Sequence, residues 1–124
     1  NFTGRADDFI ARANRVIEIL DRFVNTHRSP ADPLGIYCPA RFLPYYNILK
    51  GDPRGIRFFD DDPDLTGRYF PPLDVPIENR QSLIAKPVGD LLIMSRTFGK
   101  TIAAALKKET SLTRTTITLI EALF

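Results

Sequence analysis

Apolar residues recur at three- and four-residue steps at the start of the chain. Phe9, Ile10, Ala13, Val16, Ile17, Leu20, Phe23 and Val24 share one face of a helix predicted over 7–27, with Asp7 or Asp8 capping it. Arg12, Arg15, Glu18, Asp21 and Arg22 fall mainly on the other side, which reads as a solvated face. Two prolines, Pro30 and Pro33, stop the helix and make 28–33 a linker.

From there the pattern changes. Leu34 to Cys38 reads as a short buried strand, and Pro39 suits the first turn of a helix running to about Lys50, with Pro44 a kink or a later start. Gly51-Asp52-Pro53 closes that unit, and Ile56 to Phe59 is a second strand ending at Asp60. Asp61 to Pro76, rich in proline and aspartate, reads as a long ordered loop with Tyr69-Phe70 anchoring it. Glu78 to Ala85 fits a short helix, and Asp90 to Met94 a buried strand. Thr97 to Glu109 reads as a helix with Phe98, Ile102, Ala105 and Leu106 inward, and Thr115 to Leu119 as the last strand. Strands alternating with helices at this spacing predict an α/β fold: a parallel sheet of about four to five strands, flanked by helices, in residues 34–124.

Composition narrows the classes. A chain of 124 residues with 44% hydrophobic content supports one domain with its own core. Lys plus Arg 17 against Asp plus Glu 15 leaves a net charge of +2, too even to argue for nucleic acid. A single cysteine and a single histidine argue against an internal disulfide and against a zinc site, so the expectation is a cytoplasmic protein. No run approaches the ~18 apolar residues of a membrane span, and Asn1 to Asp8 has no signal-peptide core. Asn1-Phe2-Thr3 spells a glycosylation acceptor, a motif frequent by chance and discounted here.

In an open parallel sheet the strands end on one edge, and ligands bind there. This topology would deliver Cys38, Pro39, Ala40 and Arg41 after the first strand, Asp60 and Asp61 after the second, and Ser95, Arg96 and Thr97 after the Leu91–Met94 strand. A diphosphate would take Arg41 or Arg96, and an acidic residue at a strand end commonly meets ribose hydroxyls. Plainer readings stand beside these: a buried structural thiol for Cys38, a helix-end role for His27, and a solvated turn for Asp60 to Asp62. No acid, base and nucleophile set stands out, and no metal site is expected.

Several strings resemble the C-terminal domain of the sugar C-methyltransferase family, Rossmann-like bacterial proteins of deoxysugar biosynthesis. The family's aspartate-rich turn, D-D-x-P-x-x-x-G followed by P-x-x-x-I-P-I, is similar to Asp61-Asp62-Pro63-Asp64-Leu65-Thr66-Gly67 leading to Pro72-Leu73-Asp74-Val75-Pro76-Ile77. Its apolar strand into W-N-F is echoed by Leu91 to Phe98, and its closing strand by Thr116 to Leu119. Ile36 to Leu43 keeps the tyrosine of the family's glycine-rich turn, as Tyr37, but none of its glycines; Arg96 and Thr97 stand where it has Trp and Asn. The resemblance implies a non-catalytic domain that holds a nucleotide sugar or related phosphate ligand, with Tyr37 joining the residues above. It also implies methyl transfer by a separate preceding domain that binds S-adenosylmethionine, so no cofactor belongs to this chain. A methyltransferase domain in cis or trans would be the partner. The alternative is a structural or interaction module with a closed crevice that associates with itself or a neighbour through the N-terminal helix. An autonomous enzyme using Cys38 is the third and least supported reading.

Overall fold

A computed structural model describes residues 2–124, with side chains from Ala6 onward. The Asn1-Phe2-Thr3 motif lies outside these described side chains. The chain forms α1 (Phe2–His27), β1 (Leu34–Tyr37), β2 (Ile56–Phe59), β3 (Ile77–Glu78), α2 (Arg80–Ala85), β4 (Asp90–Ile93), α3 (Gly99–Lys107) and β5 (Thr116–Leu119). The five strands make one sheet in the order β3-β2-β1-β4-β5, every neighbour parallel. This is the predicted α/β architecture: a parallel sheet between helices, with a long N-terminal helix.

Side-chain alternation along the strands sends successive residues to opposite faces. Leu34, Ile36, Ile56, Phe58, Leu92 and Met94 pack with Leu20 and Val24 of α1 on one side. Tyr37, Phe59, Leu91 and Ile93 pack with Leu83, Ile102, Ala103 and Leu106 on the other. The elements after β1 and β2 lie on the α1 side, and those after β3 and β4 on the α3 side. The connections therefore diverge between β1 and β4, the position where a doubly wound sheet opens a crevice at its C-terminal rim.

Several expectations are corrected. Asp7 and Asp8 do not cap α1: the helix already runs from Phe2. Its apolar face is only half covered, because Leu20 and Val24 are buried while Phe9, Ile10 and Ile17 are 74%, 56% and 43% exposed. Length explains this. A 26-residue helix is about 39 Å long and a four-residue strand about 13 Å, so the sheet covers only the C-terminal part of the helix. That part is tied down, with Asn25 Nδ2 donating to the Ile48 carbonyl and Arg28 to those of Leu49 and Asp52.

The α-helix expected from Pro39 to Lys50 is instead a pair of 3-10 turns, Pro39–Arg41 and Leu43–Leu49. Pro39 and Pro44 lack the N–H that an α-helical ladder needs, and Lys50 ends the second turn with φ 53°. Glu78 belongs to a strand, not to the helix predicted from it; Asn79 caps α2, its side chain accepting from the Ser82 amide at 2.9 Å. Phe98, expected inward, is 64% exposed, because it stands before the first residue of α3 and not within the helix. Tyr69 is also exposed, and Phe70 is the residue of that pair that packs on the core.

Candidate functional site at the strand rim

Register makes the rim. Tyr37 pairs with both Phe59 and Ile93, so β1, β2 and β4 end level. The next backbone bonds continue that alignment: the Cys38 amide donates to Phe59 at 2.9 Å and the Met94 amide to Tyr37 at 3.0 Å. Cys38, Asp60 and Ser95 thus come together, with the Ser95 amide facing the Cys38 sulfur and Asp60 acting on it electrostatically.

The rim residues separate into two groups. On the α3 side, an open cavity of about 390 Å³ is lined by Tyr37, Cys38, Asp60, Asp61 and Arg80 and walled by Phe98 and Ile102. Its charges close on each other. The Tyr37 hydroxyl donates to Asp61 Oδ1, Arg80 Nε donates to the same oxygen at 3.1 Å, and Arg80 Nη2 pairs with Asp61 Oδ2 at 2.5 Å. Burial, then the hydrogen bond to Asp61, pushes the Tyr37 hydroxyl far above its ordinary range, and the bond to Asp61 raises Arg80 further still. Asp60, which also lines the cavity, accepts from the Asp62 amide at 2.9 Å in a local turn. Behind this wall Arg57 joins Glu78 with bonds of 2.9 and 2.8 Å, donates to the Lys86 carbonyl at 2.6 Å and lies 4.9 Å over the Phe59 ring. Arg57 and Ser82 together hold the Glu78 carboxyl below the usual carboxylate range.

Cys38 sits between the two sides. Its thiol is pushed up to about 11, first by burial and then by Asp60 and Asp61, so it is a thiol rather than a thiolate at neutral pH. Its backbone is left-handed, φ 63°, where glycine is the unstrained choice, and Pro39 follows with no N–H to offer. The turn after β1 therefore lacks the Pro39 amide and the glycines of a phosphate-binding loop, and the three-residue 3-10 segment behind it carries little dipole. Pro39 is buried and Ala40 exposed.

On the α1 side lies a different surface. Arg41 and Arg96 line a cavity of about 190 Å³ with Tyr45, Met94 and Phe124. Arg96 lies 5.9 Å over the Phe124 ring. Ser95 is buried at the base of the rim, its Oγ accepting from the Phe98 amide at 3.0 Å, which fixes the turn into α3; Thr97 is exposed. Of the sequence-derived residues, Tyr37, Cys38, Asp60 and Asp61 share the first cavity, and Arg41 and Arg96 the second. Pro39, Ala40, Ser95 and Thr97 line neither.

Sequence reasoning missed Arg80, because the two-residue β3 that places it has too short an alternation to read. It also missed Tyr45 and Phe124 as lining residues. Among the described residues no group of three metal-ligating side chains could hold an ion, and no helix is long and apolar enough to cross a membrane. No family model, no curated protein and no solved structure matches this chain.

Proposed function

We propose that this chain is a non-catalytic binding domain for a nucleotide sugar or a related phosphate ligand, taken at the C-terminal rim of the sheet. One observation carries the reading. Where the connections diverge between β1 and β4, a carboxylate-lined cavity, with Asp60 and Asp61, lies beside two arginines that pair with no carboxylate among the described residues, Arg41 and Arg96. Carboxylates accept from sugar hydroxyls, and guanidinium groups take phosphate oxygens in pairs. No base or activated nucleophile accompanies them, since the Cys38 thiol is raised and His27 is engaged with the Phe23 carbonyl at 2.7 Å. The resemblance to the sugar C-methyltransferase family fits this reading, with S-adenosylmethionine and methyl transfer in a companion domain and the whole in the cytoplasm.

Calorimetric titration with several nucleoside diphosphate sugars tests it. Binding at millimolar concentration or tighter, weakened in Arg41→Ala and Asp60→Asn, is expected. Absence of heat and of ligand-observed NMR effects with every sugar nucleotide would sink it.

A second reading has its own support. The uncovered apolar residues Phe9, Ile10 and Ile17 continue the stripe that buries Leu20 and Val24, as in a helix that docks a neighbouring domain or a second copy. Sedimentation of wild type against Ile10→Asp/Ile17→Asp tests it. Self-association lost in the variant supports that reading, and a wild-type monomer removes the second-copy form of it.

A further inference from the structure

The cavity holding Arg41 and Arg96 does not end at the rim. It shares Val16, Arg96 and Phe124 with an adjoining cavity of about 360 Å³ that runs along α1 and is lined by Arg12 and Arg15. Four arginines thus border these two adjoining cavities, which together form an arginine-lined groove, and no aspartate or glutamate lines either. Three arginines elsewhere are paired, Arg54 with Asp52, Arg57 with Glu78 and Arg80 with Asp61, while Arg68 and Arg114 are exposed singly and line neither cavity. None of the groove arginines is within 4.0 Å of a carboxylate among the described residues, although Asp8 and Glu18 lie within one turn of Arg12 and Arg15 on α1.

Like charges along one groove repel over a screening length of about 8 Å at physiological salt, and an anion between them relieves that repulsion. Guanidinium forks match phosphate geometry two oxygens at a time, which an ammonium does not. Arg96 lines both cavities, with Arg41 in the first and Arg12 and Arg15 in the second, so the guanidinium groups are spread over both, as a ligand with two linked phosphates would need. Tyr45 and Phe124 supply an aromatic wall for whatever the phosphates carry.

We propose that this groove binds a diphosphate, Arg41 and Arg96 holding one phosphate and Arg12 and Arg15 the other. Assignment of that diphosphate to a nucleotide sugar rests on the function proposed above; the anion site itself does not. Side chains alone make the contacts, so binding depends steeply on salt and on each arginine pair.

The test titrates the full chain with inorganic pyrophosphate, inorganic phosphate and a nucleoside diphosphate sugar, at low and at physiological salt. Wild type is compared with Arg12→Ala/Arg15→Ala, Arg41→Ala/Arg96→Ala and a charge-matched control outside the groove, Arg68→Ala/Arg114→Ala. Pyrophosphate should bind more tightly than phosphate, and each groove variant should weaken it about tenfold or more while the control stays near wild type. Equal loss in the control, or no pyrophosphate binding by wild type, overturns the proposal. A sugar nucleotide and pyrophosphate that both bind without regard to Arg12 and Arg15 also overturn it, yet leave the rim function standing. Pyrophosphate binding that needs both arginine pairs, with no sugar nucleotide bound, upholds the groove and removes the nucleotide-sugar function. A single-stranded oligonucleotide bound through the same arginines far more tightly than pyrophosphate would overturn the small-ligand assignment.

Discussion

On the α3 side of the rim Tyr37, Asp61 and Arg80 close on one another, while on the α1 side Arg12, Arg15, Arg41 and Arg96 line a groove without an aspartate or glutamate. The same residue type therefore has two kinds of work in one small molecule. A paired arginine holds strand ends together, and its loss registers as lost stability. An unpaired one contributes little to the fold, and its loss is expected to show only when an anion is present.

The largest expected effect concerns Cys38, on the carboxylate side. With its thiol raised from 9.0 to about 11 by burial and the nearby aspartates, alkylation by iodoacetamide at neutral pH should run about a hundredfold below that of an unperturbed cysteine and climb steadily toward pH 11. A neutral-pH rate equal to that of a free thiol would mean that the aspartate side is open and solvated. Next comes Arg57→Ala, which leaves Glu78 half-buried without its fork and should cost about 2 kcal/mol by urea denaturation.

That pair also sets a pH dependence. The Glu78 carboxyl is held low in the folded protein, so its contribution to stability is full above the ordinary carboxylate pKa and disappears as pH falls through the depressed folded value. In Arg57→Ala the loss on acidification should be smaller than in wild type. Arg80→Ala is milder, about 1 kcal/mol, since the Arg80 and Asp61 side chains are 31% and 44% exposed. Smallest is Arg41→Ala/Arg96→Ala, expected within about 0.5 kcal/mol of wild type without ligand. A loss comparable to that of Arg57→Ala would erase the contrast between the two sides and make the groove arginines structural.

Much of this plan is legible in the order of residues. The buried runs at Leu34, Ile56 and Leu91 and the alternation at Thr116 locate four strands, and parallel order then carries Cys38, Asp60 and Ser95 to a common rim. What local pattern cannot supply is the length of a partner. The stripe on α1 is regular from Phe9 to Val24, yet only the part facing a four-residue strand finds cover. Nor can it say which side of the sheet a rim residue joins. Arg12 and Arg15 read as members of a solvated face, and only the return of the chain through Leu123 and Phe124 makes them the bank of a groove. Pro39 and Pro44 advertised trouble for a helix but not its resolution into 3-10 turns.

The left-handed Cys38 followed by Pro39 has one more consequence. A loop that grips phosphate through main-chain amides keeps its grip through almost any substitution that preserves the bend. Here Pro39 has no amide to offer, and on the proposed function each point of attachment to an anion would be a side chain, the product of a single codon. On that proposal, ligand preference at this edge would be open to change one base at a time, with the sheet beneath it left intact.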